Sequence, residues 1–306
     1  MFDIVGKRFR FFLISGAVIL ISIISLLSFG LKMGIEFSSG SMITLRFEQE
    51  VEQADLKQEL ASLGYGNVII QRTGEGNYII RTERLTSEDR LKLEAALEAK
   101  FGKLTEAEFY SVSPMIAEET TRNAGIAVLA AAIGILFYVT WAFHRMPKPF
   151  HYGTCAIIAL IHDVLVAVGV FSIISAILNW EVNLMFITGT LAVIGYSVNN
   201  TVVVFDRIRE NLTLNVSTDF EIVVNNSLVE TLGRSINTSL TTLFVVLALL
   251  LFVGVTIQNF AIVLIIGIIA GTFSSLFIAP TLLVVWERGE WGRFIGRRPL
   301  PEAKGE

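Results

Sequence analysis

Residues 191–211 read LAVIGYSVNNTVVVFDRIREN, an apolar run that carries two adjacent carboxamides, Asn199 and Asn200, and ends abruptly in Asp206, Arg207 and Arg209. As a membrane-spanning helix rising about 1.5 Å per residue, it places Asn200 roughly 9 Å inside the charged end, within hydrocarbon. Polar groups at that depth are costly and face protein or water rather than lipid. The stretch therefore predicts a place inside a helical bundle and a working site.

The rest of the chain supplies that bundle. Of 306 residues, 53% are hydrophobic and only 17% charged, which excludes an ordinary soluble protein and gives an integral membrane protein. Residues 11–31 are free of charge and long enough to span as a first helix, behind a short basic cytoplasmic start (1–10). They read as a retained anchor, because a cleaved signal would have a shorter apolar core. Further spans are expected at 123–143, 154–178, 184–205, 236–255 and 260–286. A surface-lying amphipathic segment is expected at 206–235, on the spacing of Phe220, Val223, Val224, Leu228 and Leu232. Basic residues after the second span (His144, Arg145, Lys148) and in the tail 287–306 (Arg288, Arg293, Arg297, Arg298) put both termini in the cytoplasm.

Between the first two spans, residues 32–122 change period. Ile43, Leu45 and Phe47 alternate as a strand, and Leu56, Leu60 and Leu63 recur at helical spacing. Strands at 68–72 and 78–82 flank a hairpin at Gly74-Glu75-Gly76-Asn77. A helix capped by Thr86 and Asp89 follows, with a last strand at 107–112. The order βαββαβ is that of a small α+β ferredoxin-like domain, which the topology places on the outer, periplasmic or extracellular face. This domain holds 16 acidic and 11 basic residues, so no basic face gathers for nucleic acid. The lone Cys155 excludes an internal disulfide.

Several polar residues mark non-lipid faces. Asp163 is the one carboxylate well inside an expected span, and reads either as a group that takes up and releases protons or as a structural partner fixing helix orientation. The neighbouring His162 would point about 100° away and reads as a packing or interface residue. Gly189, Tyr196 and Asn200 share one face of the fourth span. Arg234, Thr238, Thr241 and Val245 begin a hydroxyl stripe along one side of the fifth. Gly267, Gly271 and Ser275 form small-xxx-small steps for close helix packing in the sixth. No metal or cofactor set is expected, and no paired aspartates, serine with a general base or HExxH motif suggests a protease or other enzyme.

The run 195–211, GYSVNNTVVVFDRIREN, closely resembles the most characteristic motif of the SecF family of protein-export subunits. It includes Gly195, Tyr196, Asp206 and Arg207. Three further stretches agree in order: 34–40 (GIEFSSG, with Glu36 and Gly40), 234–243 (RSINTSLTTL) and 267–279 (GIIAGTFSSLFIA). The resemblance covers essentially the whole chain. It implies one six-helix half of the resistance-nodulation-division (RND) fold, in the cytoplasmic membrane, paired with SecD beside the SecYEG translocon. Such a subunit, surrounded by membrane lipid, would use protons to help draw the translocating polypeptide outward. The chain departs from the family in carrying Asn200 where aspartate is common, Glu36 for aspartate, Ser39 for glycine, and Val253-Gly254 for a glycine pair. Either Asp163 and partner carboxylates carry the protons, or this half is a non-conducting structural partner of SecD. Half of another RND-type exporter is the remaining alternative.

Overall fold

The computed structural model describes residues 3–73, 76–253 and 257–291. It divides into two compact units: Met1–Leu31, Val128–Trp180 and Met185–Glu306 in one, Lys32–Ala127 and Glu181–Leu184 in the other. The tail residues Arg293, Arg297 and Arg298, and Gly74, Glu75 and Gly254, lie outside the described residues.

The second unit opens with a short helix, α2 (Ile35–Ser38), after α1 (Arg8–Phe29) of the first. β1 (Gly40–Phe47), α3 (Gln53–Ser62), β2 (Ile69–Arg72), β3 (Tyr78–Thr82), α4 (Ser87–Phe101) and β4 (Leu104–Val112) follow. The strands form one antiparallel sheet in the order β2-β3-β1-β4, the arrangement expected of a ferredoxin-like domain. The alternation of β1 has its reason in Ile43 and Leu45, which point into a core with Leu56, Leu60, Ile80, Leu93 and Leu97. α4 starts at a capping box, the Thr86 hydroxyl accepting from the Asp89 amide while the Asp89 carboxylate answers the Thr86 amide. Gly40, at φ +136°, brings its backbone against Thr82, whose carbonyl oxygen lies 2.7 Å from where a side chain would begin.

Among the described residues, six helical stretches are long and apolar enough to cross a membrane: Val5–Phe29, Pro114–Ala142, Pro149–Leu178, Leu184–Thr213, Phe220–Phe252 and Gln258–Arg288. The last five are α5 to α8, then α9 (Gln258–Phe277) with α10 (Ala279–Arg288). Their contacts rest on small residues. A Cβ at Gly169 of α6 would lie 2.2 Å from that of Ser22 in α1, and the Ser25 hydroxyl donates to the Gly169 carbonyl at 3.2 Å. Gly267 and Gly271 in α9 do the same against Val193 and Ser197 of α7. Lipid supplies no hydrophobic drive between helices, so close backbone approach and hydrogen bonds hold such pairs together.

Several boundaries differ from the sequence reading, and three of the differences change the packing. α5 begins at Pro114, nine residues before the expected span, with proline in the first turn where its missing N–H costs nothing. The segment 206–235 does not form a separate surface helix: α7 continues to Thr213, and α8, capped by Asp219 accepting from the Glu221 amide, runs unbroken from Phe220 to Phe252. Val224 and Leu228 pack in the main core rather than on a membrane surface. Asn211 fastens α7 to α8 by donating to Ser227 (2.9 Å) and Glu230 (2.8 Å). The sixth span breaks at Ile278, since Pro280 cannot donate the next helical bond.

Candidate functional site

Asp163 lies at the meeting of α6, α7 and α9 and is fully enclosed. One carboxylate oxygen accepts from Ser274 of α9 at 2.7 Å and from Ser197 of α7. The other lies 2.8 Å from His162 Nδ1. His162 therefore folds back onto its neighbour instead of pointing away as a packing or interface residue, because rotation about its side-chain bonds overrides the 100° between successive residues. Its Nε2 is buried without a hydrogen-bond partner. Among the described residues no lysine or arginine pairs with Asp163; its sole ion-pair partner there is this imidazole. A carboxylate this enclosed needs a compensating charge.

A second polar cluster lies beside the first, where α7 meets α8 and α9. Tyr196 and Asn200 donate to the Ser239 hydroxyl of α8 at 3.2 and 3.3 Å, and Thr272 of α9 lies 2.6 Å from the same oxygen. Thr272 also donates to the Ile268 carbonyl at 2.6 Å. One set of hydrogens satisfies the group: Ser239 accepts from Tyr196 and Asn200 and gives its own proton to Thr272. The hydrogen bonds of the cluster at Asn200 are thus mutually consistent among uncharged groups.

The other marked positions fall elsewhere. Asn199 and Gly195 are on the exposed face of α7. The stripe of Arg234, Thr238 and Thr241 is exposed on α8, and the buried stripe is the adjacent one, Thr231, Ser235 and Ser239. Asp206 pairs with Arg209, and Arg207 with Glu210 (2.6 Å) and Glu230 (2.7 Å), at the polar end of α7. Glu36 and Gly40 belong to the α+β unit, where Glu36 sits against Gly34. Ser275 is buried beside Gly271 and donates to the Thr272 carbonyl at 3.2 Å. The sequence reading passed over Ser197, Ser274, Ser239 and Thr272; the available signal was that each falls within four residues of a position singled out for helix packing or polarity. Among the described residues no group of three or more His, Cys, Asp or Glu side chains could hold a metal.

Residues 92–289 match the family described as protein export membrane protein SecD/SecF, C-terminal, and residues 24–51 match the SecD/SecF GG motif. The chain is 42% identical to the protein translocase subunit SecF of Thermobaculum terrenum, over 99% of each. It is 35% identical to the protein translocase subunit SecDF of Bacillus subtilis, over 94% of this chain and 38% of that one. A crystal structure of SecDF, a translocon-associated membrane protein from Thermus thermophilus, superimposes with a TM-score of 0.82. That alignment has 32% identity and covers 94% of this chain and 39% of the other. SecDF in a super-membrane-facing form gives 0.66 at 31% identity, covering 97% of this chain and 40% of the other.

Proposed function

The chain belongs to the SecD/SecF family of protein-export membrane proteins, and from that premise we propose that it is the proton-responsive half of a SecD-paired export motor. It is a multi-pass membrane protein with a role in Sec-dependent translocation. In this reading it sits in the cytoplasmic membrane with both termini inside and the α+β unit outside. It acts as a transport subunit rather than an enzyme, and draws on the proton motive force to assist late steps of translocation through SecYEG.

The observation that carries the reading is Asp163: a fully enclosed carboxylate, hydroxyl-capped from two other helices, whose sole ion-pair partner among the described residues is the His162 imidazole. Binding and release of a proton there changes what Ser197 and Ser274 can do. A proton on the oxygen that Ser197 and Ser274 share would compete with their two bonds, and a proton on the oxygen facing His162 would weaken both by removing the negative charge, so α7 and α9 feel the protonation state. Pairing with a SecD half is supported by the bare polar faces of α7 and α8, where Asn199, Arg234, Thr238 and Thr241 are exposed. These faces suit protein better than lipid.

The test is gradient-stimulated completion of a translocating polypeptide in vesicles holding SecYEG, SecD and this chain. Asp163→Asn keeps the volume and can still accept from one serine, yet cannot titrate. It is expected to abolish the gradient's stimulation and leave the gradient-independent rate in place. Unchanged stimulation would refute the conducting role and leave the structural-partner reading, which the uncharged Asn200 cluster favours.

A further inference from the structure

A second enclosed acid lies in the α+β unit. Glu181 follows the end of α6, in the short connection to α7 where side chains ordinarily stand in water, yet its side chain is only 5% exposed. Its carboxylate meets Arg81 Nε of β3 at 3.3 Å, while Arg81 Nη1 donates to Gln71 at 3.2 Å. Two backbone bonds bracket the acid: the Val182 amide donates to the Lys32 carbonyl (2.7 Å), and the Gly34 amide donates to the Val182 carbonyl (2.8 Å), making a parallel bridge between Met33 and Val182. Gly34 is bare for a reason. The point where its side chain would begin is 2.9 Å from the Val182 carbonyl oxygen, 2.8 Å from a Glu36 carboxylate oxygen and 3.6 Å from one of Glu181. Two carboxylates therefore crowd one Cα, with Arg81 and Lys32 as the cations facing them.

We propose that Glu181 is a proton-binding site, and that its proton locks residues 181–184 onto the segment 32–34 and β3 as a clasp. When the connection is released, Glu181 is in water and behaves as an ordinary carboxylic acid. When it is engaged, burial withdraws its hydration and Glu36 repels its charge. Arg81 opposes both, but through a side-on contact of 3.3 Å on a guanidinium already shared with Gln71, and such a contact does not replace full hydration. Burial, with Glu36 adding to it and Arg81 and Lys32 opposing, accordingly raises the Glu181 carboxyl above its usual range. An acid that holds its proton more tightly in the engaged form favours that form when protonated. Proton uptake closes the clasp. Ionisation, as pH rises through the raised value, loosens it, and the working window runs upward from the ordinary carboxylate pKa. The inference depends on the proposed function only for the side of the membrane that supplies the proton, the proton-rich outer one.

The test is native-state hydrogen exchange on the complete chain in detergent, with no gradient and no export, so that its outcome is independent of the motor reading. The amides of Val182 and Gly34 report the clasp. Corrected for intrinsic rates, their protection is expected to be severalfold greater at pH 5 than at pH 8. Glu181→Gln should hold the acid-like protection at every pH. Arg81→Gln, which removes the charge favouring ionisation, should move the transition to higher pH, and it serves equally if Glu181→Gln fails to fold. Flat protection in the unmodified chain, a pH response that survives Glu181→Gln, or protection that falls with acid would each overturn the proposal.

Discussion

Ser39 offers the sharpest energetic test. It sits at φ 64°, ψ 163°, immediately before Gly40 at φ +136°. That corner of backbone space is essentially glycine's, and another residue held there costs about 1–3 kcal/mol. The side chain is half-buried, and the nearby bond from the Ser38 hydroxyl goes to the Ser39 carbonyl, which any residue provides. Ser39→Gly should release the strain, offset by about 0.4–1 kcal/mol of added freedom in the unfolded chain. The net gain is about 1 kcal/mol, or roughly a fivefold slower opening. Hydrogen exchange of the β1 amides reads it directly, since β1 starts at the next residue. Ser39→Ala keeps the offending Cβ and should exchange like the unmodified chain. If Ser39→Gly exchanges no more slowly, or Ser39→Ala gains as much, the backbone argument is refuted.

Other outcomes follow from particular contacts. Gly267→Ala puts a Cβ 2.1 Å from Val193 Cγ2, an overpacking worth about 1–3 kcal/mol that Val193→Ala should partly recover, read as a double-mutant cycle of thermal stability in detergent. Arg8 is buried with Glu290 (2.6 Å) and Glu221 (2.8 Å). Arg8→Ala leaves a buried carboxylate uncompensated and should destabilise the membrane unit by about 3–5 kcal/mol, with Arg8→Lys intermediate on the same melting assay. In the α+β domain the Glu94 carboxyl is pushed up to about 7, by burial first and then by the Glu106 carboxyl, against Arg90. The folded domain thus holds this proton more tightly than the unfolded chain does. Its stability should rise as pH falls through about 7 toward the ordinary carboxylate value, and Glu94→Gln should remove that slope in exchange of the β4 amides.

The number of spans and the βαββαβ order were legible because each rests on a period that few alternatives mimic: long uncharged runs for the helices, alternation around Ile43 and Leu45 for the sheet. What failed was the choice between surfaces that share a period. Val223, Val224 and Leu228 recur at the same spacing whether a helix lies on a membrane or, as here, against α7. Arg234-Thr238-Thr241 and Thr231-Ser235-Ser239 are hydroxyl stripes one short step apart on one helix, and only packing tells which faces inward. Asp163 and Asn200 stood out by chemistry, whereas Ser197 and Ser274 are ordinary serines until the fold brings both to one carboxylate. The Arg81–Glu181 pair joins residues 100 positions apart, beyond the reach of any local pattern.

The small residues of α9 and the acid of α6 are parts of one arrangement. Ser197 can reach Asp163 only because α7 lies close to α9, and it lies close because Gly267 and Gly271 have no side chains where Val193 and Ser197 press. A Cβ at Gly271 would stand 3.0 Å from that of Ser197, the same residue whose hydroxyl caps the carboxylate. Ser274, three residues along α9 from Gly271, supplies the second cap. Widening this contact by even a methyl group therefore acts on two donors at once. The stripe that holds the helices together therefore also sets how well the buried carboxylate is hydrogen-bonded. By the same geometry Thr272 of α9 joins the Asn200 cluster. The two polar clusters of this half share α7 and α9, so a displacement at the first must be felt at the second through the glycine contact between those two helices.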